Sequence, residues 1–425
     1  MTTHHQRQSY YWASANSQPQ HGAVKGTHHC DVCIIGAGMT GLTAALSLAK
    51  RGFKVSVIDS QHVGFGASGR SGGQIIGGFN KSPGELVKMV GSSDAQALSA
   101  MAREAVADVK ARVNDHAIAC DLAHGHYHVG LKPRHDRELA EWIDEAVTFG
   151  DDQLQFINGS SVLEHVASPI YTSALFDPDG GHLHPLNYTL GLAEAALKSG
   201  VSIFENSPAQ SICHRPKPQI KTAEGEITAE HLLICTNALI DGLEPMMDRM
   251  IMPVGTYIMA TEPLDAPRAN ALIAGNAAVA DINFVLNYFR LSGDHRMLFG
   301  GRVSYSKIDP RNIGAVMAQT MRHYFPQLVD TKVSYAWGGH VAITMNRLPQ
   351  FGRLGPATYF AHGFSGHGVA LTGLAGKLMA EAVAGSAERF DVFSRIPHRR
   401  FPGGRLLRTP ALVLAMLYLR LRDML

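Results

Sequence analysis

Gly36, Gly38 and Gly41 spell GxGxxG in the run IIGAGMTG, directly after the apolar stretch DVCII and directly before LTAALSLAKRG. These residue types at this spacing suit one chemistry. The first glycine permits a tight turn, the second lets a pyrophosphate lie against the backbone, and the third lets a helix pack closely on a strand. The first amides of the following helix, at the positive end of its dipole, then face the phosphates. Asp59 ends the next apolar run, KVSVIDS, where an acid accepts hydrogen bonds from a ribose hydroxyl and disfavours a ribose 2′-phosphate. The pattern predicts a dinucleotide site and leaves NAD and FAD open.

The elements that must position these residues follow from periodicity. Leu42, Ala45, Leu46 and Ala49 share a helical face that Gly52 ends, so Asp31 to Asp59 forms one βαβ unit. A helix is predicted over 94–113, a strand at HYHVGLK, a helix over 187–200, then the strands VSIFEN and HLLICTNA around a hairpin at Gly225. From 246 to 335 the alternating, aromatic-rich segments TYIMATEP, NFVLNYFRL, RMLFGGRVSY and KVSYAWGG are of antiparallel type. Strand, glycine loop and helix return at YFAHGFSGHGVALTGLAGKLMAEAVAG. The expected fold class is α/β. A Rossmann-like nucleotide-binding domain is assembled from 29–90, 165–245 and 336–394, and an antiparallel-sheet substrate domain from 91–164 and 246–335. Residues 1–28 read as an extended polar arm carrying the cluster Tyr10, Tyr11 and Trp12, and 395–425 as a basic and apolar tail.

Composition narrows the function. With 45% hydrophobic and 17% charged residues over 425 positions and a formal charge of +2, the chain reads as globular, and a nucleic-acid partner is not expected. The N-terminal run has no signal-peptide pattern, five cysteines make no disulfide framework, and the expected compartment is the cytoplasm. Cys30 and Cys33 make a CxxC inside a strand, where a redox pair does not belong. His124, His126 and His128 share a strand face by alternation; a metal would need further converging ligands, so a polar face is expected and no metal. In the tail, ALVLAMLYL is too short to span a bilayer, which needs ~20 residues. It packs against the protein or touches a membrane surface peripherally, the first reading being preferred because Pro402, Gly403, Gly404 and Pro410 flank it.

GxGxxG at 36–41, GFGASGRSGGQ at 64–74 and GFSGHGV near the C-terminus together resemble the FAD-dependent amine and amino-acid oxidoreductases of the D-amino-acid oxidase and sarcosine oxidase superfamily. The resemblance covers about 30–395. Within it, SYYxASAN at 9–16, FGASGR, NRLPQFGRL and the RLLRTPALVLAMLYLRLRD tail are similar to γ-glutamylputrescine oxidoreductases. The resemblance implies FAD as cofactor. Gly66, Gly69, Gly72 and Gly73 would then give backbone access along the flavin, with Ser68 and Arg70 offering hydrogen bonds; a surface loop is the competing reading. Gly366, His367, Gly368 and Val369 would put amides and a helix N-terminus at the pyrimidine end, where reduction places negative charge. His367 reads equally as a capping residue. Neither a cysteine ahead of HVAITMNRLP nor a histidine in the first loop is present to tether the flavin, so FAD is expected to be noncovalent. Asn346 stands where many members have Asp.

The resemblance further implies a small-molecule amine substrate, γ-glutamylputrescine, oxidised with molecular oxygen or another acceptor; the alternative readings are another flavin-dependent amine or amino-acid dehydrogenase of the same fold, or a non-catalytic flavin-binding protein. A pocket for it needs aromatic walls and a cation for the far carboxylate. Tyr288 and Arg290, alternating on one strand, are the first candidates, with Tyr257 on a comparable strand; ordinary sheet-surface positions are the alternative for all three. Lys307, in GGRVSYSKIDP, matches the stretch whose lysine promotes oxygen attack, and reads otherwise as a solvated surface lysine.

Overall fold

The computed structural model describes residues 9–304 and 312–402. Among these residues the chain forms two sheets. The first runs, in spatial order, Gln350–Arg353, Thr358–His362, Gly225–Ile234, Gly26–Ile35, Val55–Ile58 and Ser202–Phe204, with Ser211–Cys213 and Gln219–Lys221 as a side hairpin. Its centre is parallel: Gly26–Ile35 aligns with Gly225–Ile234 from Gly26↔Gly225 to Ile35↔Ile234, and with Val55–Ile58 on its other edge. Strands buried on both faces must be apolar at consecutive positions, and Val32, Cys33, Ile34, Val55 and Val57 are all buried. Three widely separated stretches of chain thus share one Rossmann-like sheet.

Helices Met39–Ala49, Ser92–Asp115 and Gly368–Val383 pack on this sheet around one core. Gly376 brings two of them together, for a Cβ there would lie 2.5 Å from the Thr40 carbonyl oxygen. The first turn of Met39–Ala49 therefore lies against the middle of Gly368–Val383. Ser92–Asp115, expected with the antiparallel part, instead buries Leu98, Ala102, Ala105 and Val109 in the core of the first sheet.

The second sheet runs Val333–Ile343, Met252–Thr261, Met297–Ser304, Tyr288–Leu291, Ala278–Asp281, Ala123–Gly130, Ser173–His182 and Gln74–Ile75, with Gln155–Asn158 beside Ser173–His182. It is antiparallel except where Ala278–Asp281 pairs in parallel with Ala123–Gly130. Ser173–His182 lies inside the stretch expected to serve the nucleotide-binding part, so the chain crosses between sheets more often than its texture suggests. Its separate core is rich in aromatic rings, including Phe289 stacked on Phe299.

Residues 9–16, expected within an extended arm, are instead packed onto the protein. Ser9 caps the short helix Tyr10–Ala13 through a bond from the Trp12 amide, and Tyr11 is fully buried against Trp337 and His184. Tyr10 Oη donates to Asp294 at 2.7 Å, and Asn16 is tied to Asn187 and to the Ala119 carbonyl. The first strand also starts at Gly26, five residues before the Asp31 at which it was expected.

Candidate active site

The carboxyl ends of the parallel strands, at Ile35, Asp59 and Cys235, open onto a cleft of about 470 Å³. Ligands of open α/β sheets bind at such ends. The three fingerprint glycines meet different constraints there. Gly36, at φ +114°, would place a Cβ 2.7 Å from the Cys235 carbonyl oxygen, and Gly41 would place one 2.0 Å from the Gly36 carbonyl oxygen. Backbone packing forbids side chains at both. Gly38 has an ordinary φ of −93°, and its Cβ would meet only the movable Ser68 hydroxyl, at 2.8 Å. Gly38 also lines the cleft, where a glycine leaves the backbone open to close approach.

Asp59 lines the cleft but also ties the loop together. Its Oδ2 accepts from the Ala37 amide at 2.8 Å and its Oδ1 from the Gln61 amide at 2.9 Å. Burial pushes its carboxyl upward and these two amides pull it back. Ser68 Oγ accepts from the Met39 amide at 3.0 Å, so the second glycine loop caps the helix of the first.

That second loop divides in two. Gly66, Ala67, Ser68, Arg70 and Ser71 line the cleft. Arg70 donates through Nε to the Phe65 carbonyl at 3.0 Å and through Nη1 to the Gly338 carbonyl at 2.8 Å, while Trp337 donates to the Arg70 carbonyl. Gly72 and Gly73 turn toward the second sheet instead of giving backbone access to the cleft. A Cβ at Gly72 would lie 2.6 Å from the Tyr288 ring; at Gly73, where φ is +72°, it would lie 2.1 Å from the Leu183 carbonyl oxygen.

Gly366, at φ +108° with open space around it, Gly368 and Val369 line the other end of the cleft, where helix Gly368–Val383 begins. His367 sits at its N-cap between two lining glycines and makes no side-chain cap bond. Its Nδ1 accepts from Asn80 Nδ2 at 2.8 Å. Burial, helped by the charge of Arg347, pushes its pKa down to about 4, so the ring is neutral near pH 7.

Arg290 is a corrected assignment. Its side chain is buried, and Nε donates to the Gly72 carbonyl at 2.6 Å. Nη1 faces Leu291 O and His182 Nδ1, and Nη2 faces Tyr11 Oη and Leu183 O. All five N–H groups of the guanidinium are engaged inside the protein, so it is a clamp between the second glycine loop and the second sheet rather than a carboxylate receptor. Tyr288 on the same strand is half-buried, its ring wedged between Gly72 and Gly300, and Tyr257 is buried in the second core. Lys307 lies outside the described residues, as do the tail positions beyond 402.

The three histidines do not share one face. The register shifts between His124 and His126, leaving His124 exposed while His126 and His128 are buried with ring centroids 4.4 Å apart. Among the described residues no group of three or more His, Cys, Asp or Glu is placed to hold a metal ion. No helix of the described residues is long and apolar enough to cross a membrane. Asn346 has a use that an aspartate lacks: Oδ1 accepts from the Thr344 hydroxyl and the Leu348 amide, while Nδ2 donates to Pro397 O at 2.9 Å.

Residues absent from the sequence reading complete the cleft. Thr236–Gly242 follow the parallel strand Gly225–Ile234, and Phe364, His340 and Val341 border the other end. The signal for the first group was present in HLLICTNALIDG, an apolar run ending in turn-forming residues at a strand's carboxyl end.

The profile of the family described as FAD dependent oxidoreductase matches residues 31–382. The chain belongs to this family. This FAD-dependent oxidoreductase is 39% identical over 424 residues to "Gamma-glutamylputrescine oxidoreductase" of Escherichia coli (strain K12), a match covering 100% of this chain and 99% of the other. It is 41% identical over 421 residues to "Probable oxidoreductase OrdL" of Haemophilus influenzae, covering 98% and 97%. Among solved structures, glycine oxidase from Geobacillus kaustophilus superposes with a TM-score of 0.71 at 20% identity, over 84% of this chain and 95% of that one. The fold is thus that of known flavoenzymes, and the cleft has what FAD needs: glycines in its lining, two helix N-termini and a carboxylate, Asp59.

Proposed function

We propose that this enzyme oxidises the free primary amine of γ-glutamylputrescine. With water and oxygen the amine yields γ-glutamylaminobutyraldehyde, ammonia and hydrogen peroxide, the carbon losing two electrons and oxygen gaining them. The substrate reading is supported by end-to-end similarity to an enzyme of that name, a match that takes in the SYYWASAN segment, which packs between the second sheet and helix Pro185–Lys198 and which FAD binding does not require. The observation that carries the redox reading is the cleft with a glycine loop and a helix N-terminus at each end.

In this reading Gly36, Gly38 and the first amides of Met39–Ala49 hold the pyrophosphate, Asp59 a ribose, and Ser68, Arg70 and Ser71 the middle of the cofactor. The Gly366–Val369 turn holds its far end, where the helix dipole favours added negative charge. FAD, held without a covalent tether, supplies two-electron acceptance beside the amine carbon. The protein excludes water and orients the amine, and neutral His367 keeps the Gly366–Val369 turn seated on Asn80. Lys307 is the proposed promoter of the oxygen step.

Purified enzyme tests this directly. Its flavin absorbance bleaches anaerobically with γ-glutamylputrescine and not with sarcosine or D-alanine, and air then yields one peroxide per aldehyde. Bleaching only by another amine would overturn the substrate, and bleaching without peroxide would overturn oxygen as acceptor. K307M should slow reoxidation in air about 10-fold or more while leaving anaerobic bleaching nearly as fast. Equal slowing of both steps would reject the lysine's role.

A further inference from the structure

None of the residues of SYYWASAN, at 9–16, lines the cleft, yet the ring of Tyr11 is fully buried. Resting on the placement of FAD along the second glycine loop, we propose that Tyr11 is a positioning residue for that loop. Its ring, acting through Trp337, fixes the backbone at Arg70 and so presets the stretch that meets the cofactor.

The segment is tied down on both sides of Tyr11. Before it, Tyr10 Oη donates to Asp294 Oδ1, and Asp294 also accepts from Ser292 Oγ and Arg296 Nε, each at 2.7 Å. The phenol thus meets a carboxylate held by the turn that follows strand Tyr288–Leu291. After it, Asn16 is bonded to Asn187 Oδ1 at 2.9 Å, and Ser14 Oγ lies 3.0 Å from His184 Nε2. His184 Nδ1 accepts from the Asn187 amide at 3.1 Å, so the proton of the neutral ring is on Nε2 and is donated to Ser14.

Between these anchors Tyr11 projects inward. Its ring meets Trp337 edge to face at 5.0 Å and 69°, and His184 at 4.9 Å and 65°. Its hydroxyl accepts from Arg290 Nη2 at 3.1 Å. Two of these neighbours hold the second glycine loop by its backbone: Trp337 Nε1 donates to Arg70 O at 3.0 Å, and Arg290 Nε to Gly72 O at 2.6 Å. Leu186, in the same apolar cluster as Tyr11 and Trp337, presses on the loop as well, for a Cβ at Gly69 would lie 3.0 Å from its Cδ1. Tyr11 is therefore the common neighbour of the donors to both carbonyls.

The two routes reach different halves of the loop. Arg70 and Ser71 line the cleft, and Gly72 does not. The contact of ring with Trp337 bears on the cofactor, whereas the contact of hydroxyl with Arg290 bears on the join between loop and second sheet. Arg70 also donates to Phe65 O and to Gly338 O, next to Trp337 on its strand, so an indole that shifts carries the backbone and the side chain of Arg70 with it. Removing the tyrosine ring leaves a space beside the indole and takes away its edge-to-face partner. The loop then has to be ordered when FAD binds instead of beforehand, which weakens binding.

Release of FAD on dilution of the holoenzyme, read by flavin fluorescence, measures the effect. Y11L, which loses the ring, should raise the dissociation constant about 10-fold or more, and Y11F, which keeps it, should stay within about threefold of wild type. W337F keeps a ring and removes only the donor to Arg70 O. It should weaken FAD about 10-fold, and it carries the test should Y11L fail to fold. Because both act by one route, the double variant should bind FAD no more than about threefold worse than the weaker single variant. Hydrogen–deuterium exchange of the full-length holoenzyme locates the change: uptake in Y11L should rise over 64–74 and not over 26–35. Unchanged FAD affinity in Y11L or W337F, losses that multiply fully in the double variant, or exchange rising equally in both segments overturns the proposal. R70M separates this role from the placement of the cofactor. If R70M binds FAD as wild type does, the placement falls and the role of Tyr11 with it; if R70M loses FAD while Y11L keeps it, the placement stands and the role of Tyr11 alone falls.

Discussion

The glycines at 36–41 and those at 64–73 look alike in composition, yet their surroundings separate them. In the first group two glycines are dictated by the protein's own backbone and one, Gly38, by the Ser68 side chain of the second loop, beside the cleft that Gly38 lines. In the second group the first half faces the cleft, while Gly72 and Gly73 fit against Tyr288, Leu183 and Arg290 of the second sheet. A glycine-rich run is therefore not one site. It is a hinge of contacts, with cofactor on one side and sheet-to-sheet packing on the other.

Substitution at Gly41 should show the largest effect. A Cβ 2.0 Å from a backbone oxygen has no flexible neighbour to displace, so G41V costs about 3 kcal/mol or more and misplaces the helix that faces the phosphates. Flavin content of the purified protein should drop below about a tenth of wild type. Retention of a full complement of FAD would show that the loop tolerates what its geometry forbids.

Gly73 is the sharper comparison. G73A forces alanine to φ +72° and crowds Leu183 O, for about 2–4 kcal/mol of lost stability in thermal or denaturant unfolding. Because Gly73 does not line the cleft, FAD affinity of the folded protein should stay within about threefold of wild type. Strong loss of FAD with an unchanged melting temperature would return Gly73 to the cofactor and erase the division within the loop.

Acid should separate the two sheets by a smaller margin. Burial holds His128, His182 and His184 down to about 3, and His126 well below its ordinary value. All four lie in or beside the second sheet, whereas His362 and His367, at about 3 and about 4, are their counterparts on the first. A histidine depressed in the folded state takes up its proton near pH 6.5 only when unfolded. The unfolded chain then binds more protons, so stability falls as pH drops from about 6.5 toward 4. Unfolding midpoints should decline over this window, and H126Q with H128Q should flatten the decline more than H362Q does. An equal effect would mean that acid sensitivity is not concentrated in the second sheet.

The cofactor half was legible because its signals are local: strand, glycine turn, helix and acid are each readable within a short window, and Asp59 lies in the lining of the cleft. The second sheet was legible in type but not in partners. Nothing in NYFRL reveals that Arg290 faces Gly72, Leu183 and Tyr11, residues far away in the chain, since alternation assigns a face and not its occupants. The burial of Tyr11 was hidden for the same reason.

The smallest expected effect lies where the two glycine loops touch. Ser68 Oγ is the acceptor for the Met39 amide, and removing it in S68A leaves a helix amide without its cap, worth about 1 kcal/mol in the flavin-free protein. Loss of the hydroxyl also widens the space opposite Gly38, so the amide becomes accessible to a phosphate oxygen, the partner a helix N-terminus favours. Bound FAD should therefore recover much of the lost stability, making the S68A defect larger in apoprotein than in holoenzyme when both are unfolded side by side. A defect larger in the holoenzyme, accompanied by weaker FAD binding, would mean that the hydroxyl itself bonds the cofactor. The contact between the loops would then be secondary to their shared ligand.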